Sequence, residues 1–371
     1  MKDLMLISIP IMLVLMALEI SFSVWKKKGF YNFKDTLSNL SQGVGQQAIG
    51  IFIKVVALGG YHYVWENYRF TDLDTSNALH WLLVVALTDL CFYCFHIMGH
   101  RVNIFIGFHT VHHQSEQYNM SVALRQSWFA PVFRWVFYLP LALVGAPVVM
   151  FVGSSVIILL YQFWLHTRVI DKMGPLEWFM VTPSHHRVHH GKNPQYLDKN
   201  CAAVFIIWDR LFGTFEPEVE EVKFGLQTPF DSINPLYANT VYFEYLIARM
   251  KKMDNLSDKL KLWIAAPEWL SDQERAALGE KVAVQKPAKK SLVNWEKNYV
   301  VVQFIALLGF LVYGLKFHRT QDAIQNFLIV SVIVWGLMNL AAIVEKKKWA
   351  SKSELIRVVL IGTYTGVALA F

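Results

Sequence analysis

Several stretches of this chain are apolar over lengths that cross a bilayer, and that restricts its fold more than any other feature. Residues 4–25, 43–65, 78–100, 297–316, 324–344 and 355–371 each read as a span, and residues 127–166 as a pair of them. A backbone in lipid finds no water to bond, so each span must be a helix. The composition agrees: 54% of the 371 residues are hydrophobic and only 17% are charged. The expected fold class is therefore an all-α polytopic membrane protein, not the two or three soluble domains that the length alone would suggest.

The net charge of +7 is concentrated beside the spans, as in Lys26-Lys27-Lys28 and Lys346-Lys347-Lys348. Such clusters mark cytoplasmic loops and anionic headgroups. Nucleic-acid binding would need a basic face on a soluble module, and none is seen. Residues 4–25 lack the short core and the cleavage site of a signal peptide, so they read as a first transmembrane helix whose C-terminal end is cytoplasmic. The second span carries Gly43, Gly45, Gly50, Gly59 and Gly60, which let neighbouring helices approach closely. Counting crossings brings the end of the 78–100 span back to the cytoplasmic side. Gly145-Ala146-Pro147 is a turn signal, so arms at 128–145 and 147–166 form a hairpin that returns to the same side.

Residues 202–215 read as an interfacial helix, 236–280 as amphipathic helices on the membrane or the core, and Lys281 to Lys290 as a linker. The expected division is 1–77 for N-terminal helices, 78–235 for a catalytic domain, 236–295 for an amphipathic segment, and 296–371 for a separate three-helix bundle without chemistry of its own. Cys91 and Cys94 form C-x2-C, but within an apolar run and without a second pair, so they read as helix packing.

The chemistry concentrates between His96 and Asn200, which contains ten of the 13 histidines. His96 and His100 form H-x3-H; His109, His112 and His113 form H-x2-H-H; His166 stands alone; and His186, His189 and His190 repeat H-x2-H-H. Residues four apart on a helix share a face, about 6 Å apart along the axis. Nine imidazoles buried at a membrane without partners would be costly, and a metal gives each one a partner. A tetrahedral zinc site takes about four ligands, so nine suit two metals with four or five each. All-nitrogen ligation suits Fe, Zn, Cu or Ni and not Mg or Ca. The Glu and Glu-x-x-His pairs of carboxylate-bridged di-iron bundles are missing. His185 sits beside the last cluster as an outer neighbour, and His62, His80 and His318 read as structural.

This order of motifs resembles the fatty acid hydroxylase and sterol desaturase superfamily, which are integral-membrane, non-haem di-iron oxygenases. The stretches Gly-Phe-His-Thr-Val-His-His-Gln-Ser-Glu-Gln-Tyr-Asn (107–119), Ala-Leu-Arg-Gln-Ser (123–127) and Tyr-Gln-Phe-Trp-Leu-His-Thr (161–167) carry the resemblance. Gly-Pro-Leu-Glu (174–177), Thr-Pro-Ser-His-His-Arg-Val-His-His-Gly (182–191), Asp-Lys-Asn (198–200) and Ile-Ile-Trp-Asp-Arg-Leu-Phe-Gly-Thr-Phe (206–215) extend it. It covers about residues 40–235 and is nearest to the branch that cleaves the ether bond of alkylglycerols.

The resemblance implies that His96, His100, His109, His112, His113, His166, His186, His189 and His190 hold two iron ions. Zinc can replace iron in isolated protein. It implies O2 as oxidant, tetrahydrobiopterin or a separate redox protein as electron donor, and a membrane lipid as substrate. Hydroxylation of the carbon next to the ether oxygen would release a fatty aldehyde and glycerol. Asn193 and Asn200 are candidates to orient ligand imidazoles or bound water. Glu116, a third catalytic candidate, follows the second cluster with Tyr118, Asn119 and Arg125. One departure from the pattern is Arg101, where the family carries Glu after the second histidine; it touches the choice of donor and headgroup more than the oxygenase class.

The alternatives are a sterol, fatty acyl or sphingoid-base hydroxylase or desaturase, told apart by its product, and a non-enzymatic metal-binding protein. Transport would spread ligands along a path through the membrane, whereas these gather at one face. The expected location is a bacterial inner membrane or endoplasmic reticulum, with the site on the cytoplasmic side.

Overall fold

The computed structural model describes residues 2–269 and 292–370. It is helical throughout, with isolated bridges at Met180–Phe205 and Gly191–Phe224 as its only β-pairing among the described residues. Among the described residues five helices are long and apolar enough to cross a membrane, and they make the chain a multi-pass membrane protein.

The N-terminal helix α1 spans Lys2–Trp25 and is followed by α2 at Phe33–Tyr68. The latter starts ten residues before the expected 43, because Asn32 caps it by accepting from the amides of Lys34 and Asp35. Helix α3 runs Ala78–Arg101, capped by Asn77, and α4 follows at once as Asn103–His113. The first arm of the expected hairpin is broken. It consists of α5 (Pro131–Arg134), a 3-10 turn at Trp135–Tyr138 and α6 (Leu139–Val144), with prolines at 131 and 140 interrupting the helical ladder. The second arm is α7, Val148–Leu165. Gly145 turns between the arms with φ 99° and ends α6 in the left-handed region.

Two ends of the bundle can be told apart by their contacts. At one end Tyr61 of α2 donates to the carbonyl of Ala146, and Trp65 to that of Gly145. At the other end Ser38 and Asn39 of α2 meet Arg125, while α3 and α7 both terminate there. All histidines of the three motifs and His166 lie at this second end. The α1 C-terminus joins them, since Glu19 accepts from the Met120 amide at 2.8 Å and from the Tyr31 and Thr167 hydroxyls.

Beyond α7 the polar segment contributes α8 (Pro183–His189) and α9 (Ile207–Phe212). The interfacial helix expected over 202–215 shrinks to α9. Residues 201–205 instead form a loop whose amides are taken by the carboxylates of Asp89 and Asp209. The amphipathic region becomes α10 (Pro235–Met250) and α11 (Leu256–Ile264), and the linker expected at 281–290 lies outside the described residues. The last helices are α12 (Asn294–Phe317), α13 (Ala323–Val344) and α14 (Ala350–Ala370).

The C-terminal bundle is not separate. Leu37, Val44, Ala48 and Ile51 of α2 share one buried core with Val300, Leu307, Ile333 and Leu340 of α12 and α13, and Trp128 joins it. The glycines of α2 instead admit the segment at 124–135, Gly43 meeting Leu124, Gly45 Trp128 and Gly60 Trp135. A Cβ on Gly45 would lie 2.2 Å from the Trp128 ring, whose indole donates to the Gln42 carbonyl at 3.1 Å. Gly45→Ala should therefore destabilise the fold by about 1–3 kcal/mol, the usual cost of overpacking. A thermal melt in detergent measures this, and an unchanged midpoint would mean that the Trp128 contact is soft.

Candidate metal centre

Four short elements build the centre. The last turns of α3 carry His96 and His100, α4 carries His109, His112 and His113, the C-cap of α7 is His166, and α8 with its C-cap carries His186, His189 and His190. All nine come together. They divide into a group of five, His96, His100, His109, His113 and His189, and a group of four, His112, His166, His186 and His190. Within each group the ligand atoms lie within 4.8 Å of one another. The groups adjoin, with the rings of His113 and His190 stacked at 4.5 Å.

The division cuts across the motifs. His109 and His113, four apart, face the first group, while His112 faces the second. In the other motif His186 and His190, again four apart, share the second group and His189 joins the first. Adjacent residues on a helix point roughly 100° apart, so the repeated His-His pair serves two neighbouring centres at once.

Hydrogen bonds fix which nitrogen faces inward. The Nδ1–H of His96 donates to the Cys201 carbonyl at 2.6 Å, that of His112 to Arg125 at 3.0 Å, that of His166 to Gln162 at 2.8 Å and that of His189 to Lys199 at 3.0 Å. His100 Nδ1 faces Asp198 Oδ1 at 3.1 Å. Each such bond commits the proton to Nδ1 and leaves Nε2 as a lone pair. Within each group the Nε2 atoms lie close together. His109 Nε2 lies 3.0 Å from that of His96 and 2.8 Å from that of His113, and His166 Nε2 lies 3.3 Å from that of His112 and 3.0 Å from that of His186. The Nε2 atoms of His100, His189 and His190 are buried with no hydrogen-bond partner among the described residues. The Nε2 lone pairs of His112 and His166, both left by Nδ1–H bonds, face each other with no proton between them, and the buried Nε2 atoms without partners are costly. A cation in each group satisfies them, so the residues present fit two bound metals.

Burial also keeps these rings neutral. It pushes the imidazoles of His109, His113, His186, His189 and His190 well below their ordinary range, and that of His112 down to about 4. Neutral imidazole is the form that binds metal.

The remaining candidates fall elsewhere. His185 is buried outside both groups, with its ring against Phe215. Among the described residues the Asn193 and Asn200 side chains bond backbone groups and no imidazole. Asn193 clips the Glu221 carbonyl and the Lys223 amide, and Asn200 clips the His185 and Glu216 carbonyls and the Glu216 amide. Glu116 is exposed and lines a polar cleft with Asp35, Arg125 and Asp231. Tyr118 is fully buried with its ring beside His166 and His190, and its hydroxyl donates to the Leu165 carbonyl at 3.1 Å. Asn119 caps the turn at Met120–Leu124. Arg101 is exposed at the end of α3. The structural readings of His62, His80 and His318 agree with their contacts: His62 pairs with Glu66 on an exposed face, His80 accepts from the Asp74 amide, and His318 bonds the Leu315 carbonyl. Cys91 is buried in an apolar core and Cys94 exposed, both as free thiols.

Three carboxylates escaped the sequence reading: Glu19, Asp89 and Asp198. A single acid inside an apolar run was the available signal for the first two. Asp89 is fully buried in α3 and accepts from the amides of Ala203, Val204 and Phe205 and from the Trp208 indole.

Comparison with known proteins agrees with this geometry. Residues 81–214 match the fatty acid hydroxylase family model, a segment that holds all nine clustered histidines. The chain is 35% identical over 357 residues to an alkylglycerol monooxygenase of Danio rerio, covering 95% of this chain and 80% of that one. It is 36% identical to the alkylglycerol monooxygenase of Homo sapiens, covering 94% and 79%. An ornithine lipid hydroxylase of Rhizobium tropici is 26% identical over 52% of this chain and 59% of its own. No solved structure matches. Identity at this level along nearly the whole sequence places the chain in the alkylglycerol monooxygenase family.

Proposed function

We propose that this protein is a membrane monooxygenase that cleaves the ether bond of alkylglycerols, using two irons held by the five- and four-histidine groups. The observation that carries the reading is the convergence of nine inward-facing histidines in a chain of this family. Bound iron would supply O2 binding and reduction, with two electrons from a separate donor such as tetrahydrobiopterin.

The chain's own groups do the rest. Backbone carbonyls of Arg125, Gln162, Lys199 and Cys201 hold the ligand rings in one tautomer and one orientation. The histidines lie where α3 and α7 end, so an alkyl chain in the bilayer reaches them while its glycerol headgroup stays at the surface. Overall, one oxygen atom of O2 enters the C–H bond next to the ether oxygen, and the other leaves as water after taking two electrons and two protons. The resulting hemiacetal breaks its carbon–oxygen bond to glycerol. The hydroxyl proton leaves, the carbonyl of a fatty aldehyde forms, and the glycerol oxygen is protonated.

The site is assigned to the cytoplasmic side on charge. Lys26-Lys27-Lys28 follow the end of α1 near Glu19, and Lys346-Lys347-Lys348 follow Glu345, which accepts from Ser232 and lines the same cleft as Glu116. Both basic clusters therefore sit at the histidine end of the bundle, as the positive-inside rule requires of a cytoplasmic face.

Product analysis tests the substrate. Iron-loaded protein in detergent would receive O2, tetrahydrobiopterin and either a 1-O-alkylglycerol, a fatty acyl lipid or a sterol. Fatty aldehyde plus glycerol from the first alone is the expected result. A hydroxylated or desaturated product from one of the others, with none from the ether lipid, would overturn the substrate and keep the oxygenase class.

A further inference from the structure

One loop presents acceptors to three ligands of the five-histidine group and to none of the other group. His100 bonds the Asp198 side chain, His189 the Lys199 carbonyl and His96 the Cys201 carbonyl. The backbone is shaped for this. Asp198 and Asn200 adopt left-handed φ values of 57° and 52°, which Asp and Asn tolerate better than other residues with a Cβ. The loop is anchored on its far side by Asp209, which accepts from Cys201 and Ala202, and by Asp89, which accepts from the next three amides. Asn200 ties its middle to the His185 and Glu216 carbonyls.

Among these acceptors Asp198 alone carries a charge. The Nδ1 atoms of His96, His112, His166 and His189 all face neutral carbonyls, and His186 Nδ1 has no partner among the described residues. A carboxylate accepting from Nδ1–H pushes electron density toward Nε2 and makes the ring a stronger donor. We propose that Asp198 is a positioning residue for the metal of the five-histidine group, orienting His100 and strengthening its Nε2, so that the two metals are held unequally. The proposal rests on the two-metal reading.

The test is a titration of Co2+ into the metal-free full-length protein in detergent, followed by the visible bands of the bound ion and by counting bound metal. The wild-type chain should take up two Co2+, and His186→Ala should identify which part of the curve belongs to the four-histidine group by removing it. Asp198→Gly keeps the left-handed backbone and deletes the acceptor. It should weaken uptake at the five-histidine group about 10–100-fold, the usual effect of losing a ligand's outer partner, and leave the other group unmoved. Asp198→Asn, which keeps an acceptor oxygen and tolerates the same backbone, should recover most of that affinity while shifting the bands of the first ion. A wild-type curve with one Co2+ would remove the two-metal reading and the proposal with it. Two equivalents with no change in Asp198→Gly, or equal weakening of both groups, would overturn the proposal and leave the two-metal reading intact.

Discussion

His112→Ala should abolish oxygenation and empty the four-histidine group while the protein stays folded. His112 is one of four ligand candidates in that group, and its Nε2 lies 3.3 Å from that of His166. Three imidazoles would remain, and alanine brings no donor. Loss of a direct ligand should exceed the roughly 10–100-fold that loss of an outer partner costs in metal affinity or activity. Bound metal should fall from two equivalents toward one, because the five-histidine group keeps its full set. Metal counting beside turnover checks this. Full activity, or metal content unchanged at two, would contradict the assignment of His112. His100→Ala should weaken metal binding at the other group, which keeps four of its five imidazoles.

The largest expected loss of stability comes from Arg125→Ala. The Arg125 side chain is 2% exposed, yet it is a guanidinium. Its Nε donates to the Val111 carbonyl at 2.7 Å, one Nη to Ser38 at 2.7 Å and Asn39 at 3.1 Å, and the other to Gln114 at 2.6 Å. Asp35 supplies opposing charge nearby, and burial holds the guanidinium down to about 10, so it remains a cation at neutral pH. The side chain thus ties the start of α2 to the end of α4, and its own carbonyl orients His112. Alanine would leave four acceptors and a cavity at once. The expected cost is on the order of 3–5 kcal/mol, as for breaking a buried charged network from one side. Arg125→Lys should recover little, since one ammonium cannot reach all four acceptors at the ends of α2 and α4. Denaturant or thermal midpoints in detergent measure the effect, and a midpoint within error of wild type would refute it.

The helical class and the nine ligand candidates were legible because both follow from residue type and spacing. Apolar length dictates a helix in lipid, and an excess of unpaired imidazoles demands a cation. The split into five and four was not legible. His112 and His113 are neighbours in sequence, and only the placement of α4 between α3 and α8 sends them to different groups. The resemblance makes Asn200 a candidate to orient a ligand imidazole or bound water. The fold uses its amide to clip backbone, and its left-handed backbone to shape the loop. The acids Glu19 and Asp89 take their roles from loops distant in sequence, Met120 and Ala203 to Phe205. Pro131 and Pro140 break the first hairpin arm into short helices despite its apolar length.

The central claim is that this chain inserts oxygen from O2 next to an ether. The direct measurement is turnover of a 1-O-alkylglycerol under 18O2, with the aldehyde reduced to the alcohol as it forms, before its oxygen exchanges with water. The account predicts 18O in the fatty alcohol so trapped and none in the glycerol, which keeps the original ether oxygen. Label in the glycerol, or cleavage without any label or O2 consumption, would contradict it.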